Sequence, residues 1–129
     1  MDTGHLTIVI DVTPFCPIIV ATGELDAASV PGAAAYIGRQ IALAPGRAWL
    51  FDVSGLEFVD SSGLQMLLMI QREISRTGSL SLLDPSDRLR RLLTLTGLDI
   101  QFVLISSEPT DLLAGDPLVR VTEDKPAEP

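Results

Sequence analysis

Residues 48–78 read AWLFDVSGLEFVDSSGLQMLLMIQREISRTG, and the way this stretch divides decides the fold. Its first six residues, AWLFDV (48–53), are almost continuously apolar, as expected of a strand covered on both sides. SGLEFVD (54–60) then reads as a linking loop, and residues 61–78 as a helix stopped by Gly78. A strand that leads into a helix is half of a β–α–β unit.

The flanking sequence supplies the rest. LTIVIDV (6–12) places Leu6, Ile8, Ile10 and Val12 on one face, the alternation of a strand. PFCP breaks that strand, and PIIVATG (17–23) reads as the next one. After it, Val30, Ala34, Ile37 and Ile41 recur at helical spacing, with Ser29 as N-cap and Pro31 in the first turn. Downstream, SLSLLD (79–84) reads as a strand. Asp84-Pro85 then offers a cap and first-turn proline to a third helix, whose inward stripe is Leu89, Leu92, Leu93 and Thr96. Gly97 stops it in the position that favours a left-handed residue. IQFVLI (100–105) is the last strand expected, and PTDLLA (109–114) a further helical turn or two. The domain is expected to occupy residues 1–114, with 115–129 a flexible acidic tail. The order β-β-α-β-α-β-α-β predicts a single α/β domain: a mixed sheet of about five strands with helices packed against it.

Composition narrows the function. A hydrophobic fraction of 47% in 129 residues is ample for one packed core. Seventeen acidic residues against nine basic ones leave a net charge of −8, which argues against direct binding of nucleic acid. A single cysteine, Cys16, excludes an internal disulfide and a cysteine-based zinc cluster, and it suits a reducing compartment. No apolar run reaches the roughly 18 residues that insertion into a membrane requires. MDTGHLTIVI lacks the features of a signal peptide, so a cytoplasmic location is expected.

Several chemistries drop out as well. The only histidine, His5, lies near the chain start and reads as a solvent-exposed residue rather than a general base. There is no nucleophile elbow, phosphate loop or dinucleotide fingerprint. The only lysine, Lys125, lies in the last few residues, so the expected folded region lacks the lysine that a receiver domain wants beside its phosphoryl group. Cys16, between Phe15 and Pro17, reads as a small apolar filler. Neither an enzyme nor a cofactor is expected.

The stretch Val53–Leu64 is different. Its plain reading is a strand-to-helix junction with Asp60 or Ser61 as N-cap. Two successive hydroxyls at a helix start also suit reversible phosphorylation, because backbone N–H groups and the helix dipole favour an anion there. With Glu57 and Asp60 close in sequence, a phosphate of about −1.5 to −2 would change the local electrostatics sharply. The helix that follows is apolar nearly all round from Leu64 to Ile70. Either its neighbours bury the surplus, or a Met/Leu patch beside the serines is free to dock a partner.

Phe58-Val59-Asp60-Ser61-Ser62-Gly63-Leu64, with Thr22-Gly23-Glu24-Leu25-Asp26 upstream and Asp84-Pro85-Ser86 to Thr96-Gly97-Leu98 downstream, resembles the STAS domain of bacterial anti-sigma-factor antagonists. The resemblance spans about residues 6–107. It implies a protein that binds a GHKL-type serine kinase, itself an anti-sigma factor, and so frees a sigma factor. The kinase inactivates the antagonist by phosphorylating one serine, and a PP2C-type phosphatase restores it. That serine follows the motif aspartate, which makes it Ser61, while Ser62 takes a helix-start hydrogen-bonding role. The same resemblance places Asp26 at the partner-facing edge and implies a contact set of Glu24, Asp26, Asp60, Ser61, Ser62, Gly63 and Met66. The plain alternative for Asp26 is a cap for the helix that begins near Ser29. A second functional reading is an accessory STAS subunit that binds the ATPase of a membrane lipid ABC transporter. The intact serine motif favours the first, since transport needs no phosphorylatable serine. A nucleotide-binding or weakly hydrolytic reading lacks any phosphate loop and ranks last.

Overall fold

The structure, a computed structural model, describes residues 1–107. Two-residue β1 (Asp2–Thr3) pairs antiparallel with β2 (Leu6–Val12), and β2 with β3 (Pro17–Leu25). From β3 onward the ladders are parallel: β3 with β4 (Ala48–Val59), β4 with β5 (Ser79–Leu83), and β5 with β6 (Val103–Ile105). The connections carry α1 (Val30–Leu43), α2 (Ser61–Ser75), and α3 (Asp87–Leu95) followed by a 3₁₀ turn at Asp99–Gln101. The result is one mixed six-stranded sheet whose strand order is the chain order.

That order has a geometric result. Each β–α–β step moves one strand further in the same direction, and right-handed crossovers then put all three helices on one face. Burial agrees. Ile8, Ile19, Phe51 and Leu82 from the sheet and Ile37, Leu67 and Leu93 from the helices are fully buried together. On the opposite face two rows run across the strands, Val9-Val20-Asp52-Leu83-Ile105 and Asp11-Ile18-Leu50-Ser81-Val103. None of these ten residues is buried. Among the described residues no helix is long and apolar enough to cross a membrane.

The expected α/β class and its initial hairpin are present, with corrections in detail. The stretch SGLEFVD is not a loop but the second half of β4, so the strand runs on to Val59. Its register against β3 shifts twice, between Val20 and Thr22 and between Gly23 and Glu24, so β4 carries an extra residue at Val53–Ser54 and again at Glu57 while the strand continues. The sixth strand is β1, too short to show a periodicity. Ser29 sits at the N-cap position of α1 but makes no side-chain cap bond. Ser86, not Asp84, caps α3, its hydroxyl accepting from Leu89 N–H. Thr96 lies exposed outside the inward stripe, and the last strand keeps only three of the six residues IQFVLI. The expectations for 109–114 and 115–129 lie outside the described residues.

Candidate functional site

Strands β3 and β4 end together, with Leu25 opposite Val59. Asp26 and Asp60 therefore emerge side by side at one edge of the sheet, and Asp60 N–H donates to Leu25 C=O at 3.1 Å. Each aspartate opens a helix. Parallel pairing is what brings two helix N-termini to the same rim.

At the start of α1, Asp26 Oδ1 accepts from Ala28 N–H (3.1 Å) and Ser29 N–H (3.0 Å). Ser29 is fully buried, and its hydroxyl accepts from Asp26 N–H at 3.0 Å while donating to Glu24 C=O at 2.9 Å. The Asp26 carboxylate thus closes the turn that leads into α1, and the Ser29 hydroxyl ties the helix entrance to the end of β3. Asp26 orders the turn before α1 rather than capping a first-turn N–H of the helix, and the same half-buried group stands on the rim beside Asp60.

At the start of α2, Asp60 is the N-cap. Its Oδ1 accepts from Gly63 N–H at 3.0 Å and from the Ser62 hydroxyl at 2.6 Å. Ser62 takes the hydrogen-bonding role expected of it. The Ser62 hydroxyl, followed by the N–H groups of Gly63, Ala27 and Ser62, holds the Asp60 carboxyl below the usual carboxylate range against a smaller opposing effect of desolvation. A pKa lowered in the fold contributes stability that is present at neutral pH and lost as pH falls through the folded value. Asp60→Asn keeps the acceptor oxygen but does not titrate. Its melting temperature should therefore fall less steeply than that of the wild type as pH is lowered below about 4, read by thermal melts at several pH values.

Ser61 occupies the first position of α2, exposed, and its hydroxyl makes no hydrogen bond to the described chain. Glu57 and Phe58, both exposed, precede it on β4. Gly63 is buried where α2 leans on β3: a Cβ there would lie 2.6 Å from Leu25 C=O and 2.9 Å from Val59 Cγ1. Of the expected contact set, Glu24, Asp26, Asp60, Ser61, Ser62 and Gly63 share this rim.

Met66 does not belong to it. It is 2% exposed and packs in the core with Leu67 and Ile70, so it is not offered to a partner. The helix buries most of its apolar surplus, and the exception is Met69, 63% exposed. The sequence carried a signal for this: Arg72 and Glu73 follow Met69 at helical spacing and mark its face as the outer one.

The family model described as "Mlab, STAS domain" matches residues 8–106. A search of curated protein sequences found no match. Among solved structures, an anti-sigma factor antagonist from Mycobacterium paratuberculosis is 27% identical with a TM-score of 0.71, over 84% of this chain and 91% of that one. The anti-sigma factor antagonist SpoIIAA in its unphosphorylated form is 25% identical with a TM-score of 0.66, over 83% and 93%. SpoIIAA of Bacillus in its phosphorylated form shares the fold, at 24% identity and a TM-score of 0.61 over 83% and 96%.

Proposed function

From its membership of the STAS-domain family, we propose that this chain is an anti-sigma-factor antagonist, switched off by phosphorylation of Ser61. Two solved neighbours at 27% and 25% identity are anti-sigma factor antagonists, which supports this reading. The partner proposed is an anti-sigma factor of the GHKL serine-kinase type, with a PP2C-type phosphatase to reverse the modification. One observation carries the reading: Ser61 presents an unbonded, exposed hydroxyl at the rim, while its neighbour Ser62 is engaged by Asp60.

The two serines therefore differ in availability to a kinase. Incubation with its partner anti-sigma kinase and ATP should label the wild type and Ser62→Ala equally, and Ser61→Ala not at all. Label that persists in Ser61→Ala would assign the modification elsewhere. Co-purification from the native cell supplies the second arm. Recovery of a GHKL-fold kinase supports the antagonist reading, and recovery of an ABC ATPase replaces it with the accessory-subunit one.

A further inference from the structure

The two rows on the sheet face opposite the helices combine seven apolar side chains with Asp11, Asp52 and Ser81, and nothing in the described chain covers them. Val9 is 50% exposed and Val103 58%, while Ile18, Val20, Leu50, Leu83 and Ile105 are half-buried. A contiguous apolar surface of this kind marks a place where something docks. Parallel strands ordinarily have helices packed on both faces of their sheet, and the helices here lie on one.

Charge restricts the occupant. The ionisable groups in the rows are both carboxylates, and every described arginine lies in a helix or a loop, none in a strand. Asp52 Oδ1 accepts from Ser54 N–H at 3.0 Å and from its hydroxyl at 2.7 Å, but among the described residues neither Asp11 nor Asp52 forms an ion pair. A covering layer without cations would leave two carboxylates desolvated and unpaired. Nucleic acid and an anionic membrane are excluded on that ground. So is a face-to-face pairing of two copies, which would oppose the same carboxylates on chains that each carry −8.

We propose that this face receives a helix of a protein partner, apolar along one side and bearing two arginine or lysine side chains that pair with Asp11 and Asp52. The register sets their spacing. Asp11 lies opposite Ile18, and Asp52 opposite Val20, on the strand between them. Two strand steps of about 4.8 Å and two residues of about 3.3 Å along β3 separate the carboxylates by roughly 12 Å. A helix rises about 1.5 Å per residue, so cations about seven residues apart, two turns along one side, match that distance. Apolar side chains one turn after the first cation then fall over Ile18 and Val20. Nothing here depends on Ser61 or on the partner proposed for it.

Methyl NMR titration of the full chain tests the pairing. The probe is a synthetic leucine–alanine helix of about 15 residues bearing two arginines at that spacing. Val9, Val20 and Leu50 should shift as it is added, while Ile37 and Leu67, on the helix side, stay in place. The double variant Asp11→Asn, Asp52→Asn keeps the oxygen that accepts from Ser54. It should match the wild type in circular dichroism yet bind the probe about tenfold or more weakly. A probe with glutamate in place of arginine should not bind. Absent shifts overturn the proposal, as do equal affinities for the two probes, or for the wild type and the double variant. Shifts confined to Leu25 and Val59 also overturn it, since the cationic probe then sits on the acidic serine rim. So do shifts of Val9, Val20 and Leu50 that grow with protein concentration before any probe is added, since the occupant is then a second copy.

Discussion

Ser61→Asp is expected to melt where the wild type does and to lose measurable binding to the anti-sigma kinase proposed as its partner. Ser61→Ala is expected to bind and to stay permanently active. The reason lies in how the start of α2 is filled. A helix N-terminus ordinarily stabilises an added anion by about 0.3–1 kcal/mol through its dipole and open N–H groups. Here Asp60 already takes the Gly63 N–H, and the Ser62 and Ala27 N–H groups lean toward the same carboxylate. A phosphate on Ser61 therefore finds those donors occupied and points to solvent beside Asp60. The free protein loses little by this. Against a partner, the same dianion must shed its water without a counter-charge from its own side. That costs several kcal/mol, and each 1.4 kcal/mol is tenfold in affinity. Calorimetric titration of both variants and of authentic phosphoprotein, alongside melting curves, decides the matter. Phosphoprotein that binds as tightly as the unmodified form would end the switch mechanism.

The second large effect concerns two glycines in helices with opposite expectations. Gly63→Ala forces a methyl against Leu25 C=O, which is backbone and cannot rotate away. Helix α2 must back off from β3, at a cost of roughly 1–3 kcal/mol for overpacking. In a domain of this size that lowers the melting temperature by several degrees, at about 4–8 °C per kcal/mol. The shift also displaces Asp60 and Ser61 on the rim, so partner binding should weaken with it. Gly38, in α1, has open space where a Cβ would go. Gly38→Ala should therefore raise stability by up to about 1 kcal/mol through helix propensity alone. If both alanines act alike in thermal melts, the close approach at Gly63 is not what sets its cost.

The legible parts of this sequence were those with a regular period. The alternation in LTIVIDV and the stripes ending at Ile41 and Leu93 specify element type because burial on one face is their common cause. The errors fall where one local signal has two structural outcomes. Ser54-Gly55 suits a turn and equally suits a bulge in a continuing strand, and only pairing with β3 separates them. Asp84-Pro85 looks like a helix start, but Asp84 is used across the fold to hold Ser107, leaving the cap to Ser86. Around the serines, the cap by Asp60 and the bond from Ser62 are local and were expected. The fully buried Ser29 hydroxyl, which joins Glu24 to Asp26, required knowledge of how tightly α1 enters against β3.

A sheet whose strand order equals its chain order also has consequences for how it is made. All five ladders join strands that are successive along the chain, so no segment has to wait for a distant partner. The hairpin of β2 and β3 spans only the short Thr13–Cys16 connection, and each later strand pairs with the one before it across a single intervening helix. Each parallel closure spans only one helix and its loops, which keeps the loop-closure cost close to the least that parallel pairing allows. The same sequence of additions runs in the direction of synthesis, so a chain emerging from the ribosome can lay down each strand on a finished template.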